Sequence, residues 1–258
     1  GMTVSMSFEL DGDAESDSTT SAYDNNSLTI ASDALGTLTF HAHGGDSATG
    51  AIDATAAGDI FDNFDGASNG LTVTGVADGS AALGDDGFHY TLPSMVDGLA
   101  VTASLNTEGT TGNNATGFAA TYSGVEGLSV SYGVSDIESG AAGTSGDQTV
   151  MKASYAYGPV TVAYSSNEND EGTASEDQDT TSYNISYTVS ESISIGYGQE
   201  TIEKGGDPDD AEYSGVNASY TAGGMTISAK MIDAENVAHG TAATEDGEYW
   251  SLGLAFAF

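Results

Sequence analysis

A run of aspartates between residues 43 and 86 is the part of this sequence best suited to act on ions. It includes Asp53, Asp59, Asp62 and Asp65, and the chain carries 39 acidic residues, three lysines and no arginine, a net charge of −36. Carboxylates that line a narrow aqueous path raise the local cation concentration. The same charge repels phosphates, so nucleic acid is excluded as a partner. These aspartates are therefore candidates for a cation-selecting constriction.

Two lysines and two histidines alternate with apolar or small residues and would share one face of their strands. They are Lys152, Lys230, His41 and His43. A lysine facing lipid at mid-membrane costs about 2–4 kcal/mol, so in a membrane barrel both lysines would point into the lumen. They are then either solvated wall charges or cations facing the acidic segment. The histidines, with Asp46, offer only weak support for a metal site.

Two further stretches resemble the oxygen-rich clusters that bind hard cations. Their candidate ligands are Asp11, Asp13, Asp17, Asn167, Asn169 and Asp170. Ca²⁺ and Mg²⁺ prefer such oxygens, but neither stretch has the full EF-hand spacing and no GGxGxD repeat is present. We expect weak contacts with Ca²⁺ or Mg²⁺ at most, and otherwise no cofactor.

The sequence contains no arrangement typical of an enzyme. There is no cysteine and no GxSxG motif, although serine is abundant. Paired carboxylates occur only in polar segments, where no apolar pocket would separate their pKa values. We therefore predict that the chain is not an enzyme.

The elements that would position these residues are strands of period two. Short alternating stretches recur along the chain, and no apolar run is long enough for a membrane helix. About fourteen strands are predicted, beginning near residues 2, 27, 37, 88, 99, 117, 128, 149, 160, 182, 192, 213, 225 and 249. The face predicted to contact lipid or another subunit holds Met6, Val101, Val130, Val162, Ile185 and Ile195. The face predicted to line a lumen holds Thr3, Thr102, Ser131, Thr161, Ser186 and Ser194.

The connections alternate between short turns and long acidic segments. Turn chemistry marks the short ones, as in 96–98, 157–159 and 222–224. The long ones are expected near 11–26, 43–86, 106–116, 135–148, 166–180, 200–212 and 233–247. Short turns on one rim and long loops on the other are typical of a transmembrane antiparallel β-barrel, with 1–258 as one domain.

The final strand is the most specific motif. Apolar residues alternate up to the last position, where Trp250, Leu252, Leu254, Phe256 and Phe258 share one face. This strand, the hairpin rhythm from residue 88 onward and the long connection 43–86 resemble those of Gram-negative outer-membrane porins, nearest to alphaproteobacterial general porins. The terminal residues resemble the signal that directs such barrels to assembly.

The resemblance carries its own expectations. It implies a water-filled channel in the bacterial outer membrane for passive diffusion of small hydrophilic solutes and ions, a homotrimer in contact with lipid, and segment 43–86 folded into the lumen as the constriction. The family usually has 16 strands, so either two strands precede Gly1 or fourteen close the barrel. General porins also set arginines opposite the acidic loop, and this chain has none.

Two alternatives remain open. One is a secreted, acidic, calcium-binding β-rich adhesin or surface-layer protein, which would be soluble and calcium-dependent. The other is a gated or substrate-specific porin. The terminal aromatic motif and the missing nonapeptide repeat favour a diffusion channel over the adhesin.

The terminal motif generates the first prediction. Deletion of Phe258 should reduce the yield of assembled barrel in the membrane while leaving synthesis unchanged, because the assembly signal loses its last aromatic ring. Quantifying folded barrel against total protein tests this expectation, and a normal folded fraction would contradict it.

Overall fold

The computed structural model describes residues 1–10, 23–43, 45, 47–64, 87–107, 114–138, 146–239 and 246–256. These residues form fourteen strands and one short 3₁₀ turn, Ile60–Asn63. The strands are β1 (Met2–Leu10), β2 (Tyr23–Ser32), β3 (Gly36–His43), β4 (Gly87–Thr91), β5 (Leu99–Asn106), β6 (Asn114–Tyr122), β7 (Leu128–Glu138), β8 (Gly146–Tyr157), β9 (Val160–Glu171), β10 (Gln178–Ser190), β11 (Ile193–Lys204), β12 (Ala211–Ala222), β13 (Met225–Glu235) and β14 (Gly247–Phe256).

The strands form one antiparallel sheet in which each strand pairs with the next along the chain. The predicted strand number is confirmed, and each strand begins within four residues of its predicted start. Strands β1 and β14 are the two edges of this order. Within the described ranges, the chain has no helix of the length and apolarity that a membrane crossing requires.

Tight turns connect the strands at one rim. In the β12–β13 hairpin, Gly223 and Gly224 both have positive φ, at 58° and 82°. Two consecutive residues of this kind are typical of the two-residue hairpin turn that matches strand twist, and glycine adopts them without steric cost. The predicted short connections are thereby confirmed at this rim.

Each strand separates two environments, as predicted. On one face, apolar side chains are exposed, including Met6 (62%), Ile185 (47%) and Ile195 (46%). On the other, hydroxyls bond across strands, as between Ser194 and Ser219 at 2.7 Å. Thr29 with Thr39 and Thr121 with Ser131 form similar pairs, at 3.2 and 2.9 Å. The small polar face is the lumen wall, and the exposed apolar face is the outer surface of the sheet.

At the loop rim, the strands continue farther than the sequence predicted. Segments 135–148 and 166–180 are expected as loops because they are acidic, but the backbone ladder of β7 to β10 includes residues 135–138, 146–148, 166–171 and 178–180. The carboxylates that pair there across strands are Asp136–Asp147–Asp170 and Glu168–Asp179–Glu203. Charged residues are tolerated near the end of a barrel strand, outside the apolar band.

The buried apolar clusters lie against the inner face of the sheet. One contains Ala48, Ile52, Ala119 and Val150. The other places Phe64 among buried residues of β11 to β13 and the following segment: Ile202, Ala211, Tyr213, Ile232, Ala234 and Val237. Both clusters include residues from 47–64, so this segment is folded into the lumen and packs on the wall.

The face assignment generates the second prediction. Replacing Ile185 with lysine should lower the free energy of unfolding by about 2–4 kcal/mol, because an ammonium group would enter hydrocarbon. The control is Ser186→Lys, one residue away on the lumen face, which should change stability much less. Denaturant unfolding in lipid vesicles measures both. Equal losses would contradict the assignment of these faces.

Candidate pore constriction

Residues 47–64, here named the lumen loop, are held along the inner wall by side-chain acceptors. The backbone N–H of Ala48 donates to Ser104 Oγ of β5 at 2.9 Å. Farther along, the N–H groups of Ala56 and Ala57 donate to the hydroxyls of Ser165 and Ser182, on β9 and β10, at 2.8 and 2.9 Å. A loop inside a barrel must have its backbone donors satisfied, and the wall supplies serine oxygens for this purpose.

Glycines in the wall allow the loop to approach closely. A Cβ at Gly198 would lie 2.8 Å from Ala57 Cβ, and a Cβ at Gly133 would lie 3.0 Å from Ile52 Cδ1. Both distances are shorter than normal carbon–carbon contact. A side chain at Gly198 would displace the loop at Ala57, whereas at Gly133 the end of the Ile52 side chain would have to shift. Alanine in the loop facing glycine in the wall therefore sets the spacing between them.

Two lysines of the wall contact the loop directly. Lys152 Nζ lies 2.5 Å from Asp53 Oδ2 and donates to the carbonyl oxygen of Thr55 at 3.0 Å. Lys230 Nζ donates to Asn63 Oδ1 at 3.0 Å. The sequence left two alternatives for these lysines: solvated wall charges, or cations facing the acidic segment. In the structure, both lysines contact this segment. Asp53 is thus neutralised by an ion pair, whereas Lys230 meets an uncharged amide.

Two carboxylates at the tip of the loop are exposed. Asp59 precedes the 3₁₀ turn with φ 50° and ψ 52°, a left-handed conformation that aspartate tolerates. Its Oδ1 accepts a hydrogen bond from Thr55 Oγ1 at 2.5 Å, and its N–H donates to the same hydroxyl at 3.0 Å. Asp62 lies within the turn and is also exposed. Both carboxylates are therefore available to ions in the lumen.

A buried glutamate that sequence reasoning missed lies beneath this turn. Glu200 of β11 is 0% exposed, and its Oε2 accepts the N–H of Phe61 at 3.2 Å. The residue was expected in an acidic loop, 200–212, and was therefore not considered as part of the wall. The sequence did contain a signal for this position. In the alternation of β11, Glu200 lies on the same face of the strand as Gly198 and Ser194.

The remaining candidates fall into separate places. His41 lies on the inner face of β3, with its ring against the backbone of Gly45. Trp250, Leu252 and Leu254 share the exposed outer face of β14 with Phe256, as predicted. The side chain of His43 and residues Asp11, Asp13, Asp17, Asp65 and Phe258 lie outside the described part of the chain.

The second predicted cation cluster is divided between the two faces of a strand. Asn167 and Asn169 are buried on the inner face of β9, whereas Asp170 is exposed on the outer face. Adjacent strand residues point in opposite directions, so these oxygens do not surround one ion. In the ranges that the structure describes, no group of three or more His, Asp or Glu side chains is arranged to hold a metal.

Comparisons with known proteins agree with this architecture. The family model for the Gram-negative porins matches residues 1–215. A multiply substituted variant of the Rhodobacter blastica porin is 16% identical, with a TM-score of 0.61, covering 100% of this chain and 85% of that one. The anion-selective porin from Comamonas acidovorans is 13% identical, with a TM-score of 0.59 and coverages of 98% and 81%.

OmpT, an outer membrane protein of Vibrio cholerae, is 15% identical, with a TM-score of 0.56, and covers 91% of this chain and 80% of that one. No curated protein matches the sequence. At these identities the solved structures show a shared fold, and the family match supplies the classification. The lumen loop, the two-faced strands and the family match together show that this chain belongs to the Gram-negative porins, the β-barrel channels of the bacterial outer membrane.

Proposed function

We propose that this porin is a passive diffusion channel that favours cations and small neutral solutes over anions. It acts without enzymatic chemistry and without a cofactor. The observation that carries the proposal is the charge at the tip of the lumen loop. Asp59 and Asp62 are exposed there, and the chain has no arginine that could compensate them.

The charges near the loop do not cancel. Lys152 is paired with Asp53, so this pair adds no net charge to the lumen. Lys230 contributes one positive charge next to Asn63, against the carboxylates of Asp59 and Asp62. The third lysine, Lys204, is the last residue of β11, at the loop rim. The balance at the loop tip is therefore negative, which supports cation preference.

Position decides which carboxylates contribute most. At seawater-like ionic strength the Debye length falls to a few Å, so charges on the distant outer loops are largely screened. Carboxylates in the narrowest part of a water path keep their effect because the protein walls have a low dielectric constant and focus the field. We therefore assign selectivity to Asp59 and Asp62 rather than to the net charge of the whole chain. Asp65 is a further candidate from the same acidic run.

Fold alone does not determine the preferred ion. The Comamonas porin, described as anion-selective, has a similar fold at 13% identity. The sign of the charge at the constriction is a property of individual side chains, and it can change while the barrel stays the same. Cation preference in the present channel therefore rests on Asp59 and Asp62 and is tested at those residues.

The third prediction concerns these two carboxylates. The double variant Asp59→Asn, Asp62→Asn should lower the cation-to-anion permeability ratio by about twofold or more. The interaction free energy of an exposed charge with an ion of opposite sign is roughly of the size that corresponds to this factor. The measurement is the reversal potential in planar bilayers under a KCl gradient. The matched control is Asp33→Asn, Asp97→Asn, which removes two charges from the connections at the short-turn rim and should leave the ratio unchanged.

Anion preference in the native channel would overturn the proposed function. An unchanged ratio in the Asp59, Asp62 double variant would retain the diffusion channel and would move the selecting charges to other residues. Equal effects from the loop pair and the rim pair would mean that net charge, and not position in the lumen, governs selectivity.

The fourth prediction concerns assembly. We propose that three barrels associate through their apolar outer faces, as the family resemblance implies, with the small and branched side chains near 28–31 allowing close contact. Mass measurement in mild detergent should give three copies of the 26.0 kDa chain. A monomer under all mild conditions would refute trimer formation.

A further inference from the structure

We propose that Glu200 and Tyr213 form a socket in the barrel wall that fixes the loop tip and thereby sets the position of Asp59 and Asp62. This inference rests on the proposed function, because it concerns the carboxylates to which selectivity is assigned. Glu200 would act as a positioning residue: it is 0% exposed and contacts the loop rather than permeating ions. The socket has a polar part and an aromatic part, and the geometry of the turn links both to the two carboxylates.

The polar part is a carboxylate bound to a backbone donor. Glu200 Oε2 accepts the N–H of Phe61 at 3.2 Å. Burying a carboxyl group is costly unless it is hydrogen-bonded, and this N–H of the turn supplies a hydrogen bond to it. If the wall had no acceptor at this place, the N–H group of the loop would be buried without a hydrogen-bond partner, which is unfavourable. Glu200 therefore restricts where the turn can lie.

The aromatic part is a cluster of rings beside this carboxylate. Tyr213 of β12 is the cross-strand partner of Glu200 and is likewise 0% exposed. The Tyr213 ring lies 5.9 Å from that of Phe64 and 6.4 Å from that of Phe61, and Phe64 also lies 6.3 Å from Tyr249. These separations are typical of favourable ring contacts. Two adjacent wall residues thus bind both the backbone and the side chains of one turn.

The geometry of the turn links this socket to the exposed carboxylates. A 3₁₀ turn has three residues per turn, so Phe61 and Phe64 lie above one another on the side that faces the wall. Asp62 is on a different side and is exposed, and Asp59 immediately precedes the turn. A rotation or displacement of the turn would move both carboxylates together. The socket therefore controls selectivity through position and not through its own charge.

Two buried oxygens indicate which part of each side chain matters. Among the residues that the structure describes, Glu200 Oε1 and the Tyr213 hydroxyl have no hydrogen-bond partner. The hydroxyl is thus dispensable for loop binding, whereas the ring is not. In a Glu200→Gln variant, the amide oxygen could still accept the N–H of Phe61. Glutamine should therefore preserve the function of Glu200, and leucine, of similar size without an acceptor, should not.

The test compares these variants in planar bilayers with KCl. Glu200→Leu should increase the current noise of the open channel and lower the cation-to-anion permeability ratio by about twofold, as for loss of the exposed charges themselves. Glu200→Gln should restore most of the native noise and ratio. The matched controls are Glu203→Leu and Glu203→Gln, in the same strand but with the side chain on the outer face, and both should behave as the native channel.

A second variant protects the test against misfolding of the wall. Phe64→Ala leaves every barrel residue unchanged and removes the loop ring from the socket, so it should reproduce the noise and the lower ratio of Glu200→Leu. Native noise and a native ratio in both Glu200→Leu and Phe64→Ala would overturn the socket. Glu200→Gln behaving as Glu200→Leu would overturn the acceptor role. An anion-preferring native channel would overturn the proposed function, and the noise comparison would still decide on the socket.

Discussion

A strand that crosses a membrane as part of a barrel has to present lipid on one side and water on the other, and alternation of side chains makes this possible. In this protein the inner members of each alternating pair are mostly Gly, Ala, Ser, Thr and Asn. Their small size leaves space for a loop inside the barrel, as at Gly198 and Gly133, and their hydroxyls accept the loop's backbone donors. The constriction therefore depends on the composition of the wall as much as on that of the loop.

The loop is fixed by interactions of different kinds at its two ends. At its start, Ser104 accepts the N–H of Ala48, and the Asp53–Lys152 ion pair follows. In its middle, Ser165 and Ser182 accept the next backbone donors, and Ala57 lies against Gly198. Near its end, aromatic rings and a buried carboxylate hold the 3₁₀ turn. Asp53 lies in an ion pair with Lys152, whereas Asp59 is exposed and accepts a hydrogen bond from Thr55. Acidic residues in one segment thus differ in what their carboxylates contact.

Much of this architecture could be predicted from the sequence, because period-two alternation and turn residues are local signals. Strand number and the two faces followed from stretches such as the one that includes Ile185. Strand length at the loop rim could not be predicted in this way. Acidic stretches were interpreted as loops, even where Asp136 and Asp147 pair across strands. Contacts such as Lys152 with Asp53 join residues 99 positions apart, and pattern alone indicates the lysine's face but not its partner. Glu200 was missed because it lies in an acidic stretch interpreted as a loop and because its partner, Phe61, is distant in the sequence.

The lumen loop contacts the inner wall from β5 to β14, and both wall lysines that it meets lie in this part of the sheet. On the inner faces of β1 and β2, the described side chains of Thr3, Ser5, Ser27 and Thr29 carry hydroxyl groups. A pore with carboxylates on one side and cationic groups on the other exerts a torque on a dipolar solute and aligns it during passage. Under the proposed assignment, the field comes from the carboxylates of the loop, so a zwitterion with no net charge would be aligned less strongly. A pore of this kind would sort solutes by net charge and size, with little regard to dipole moment.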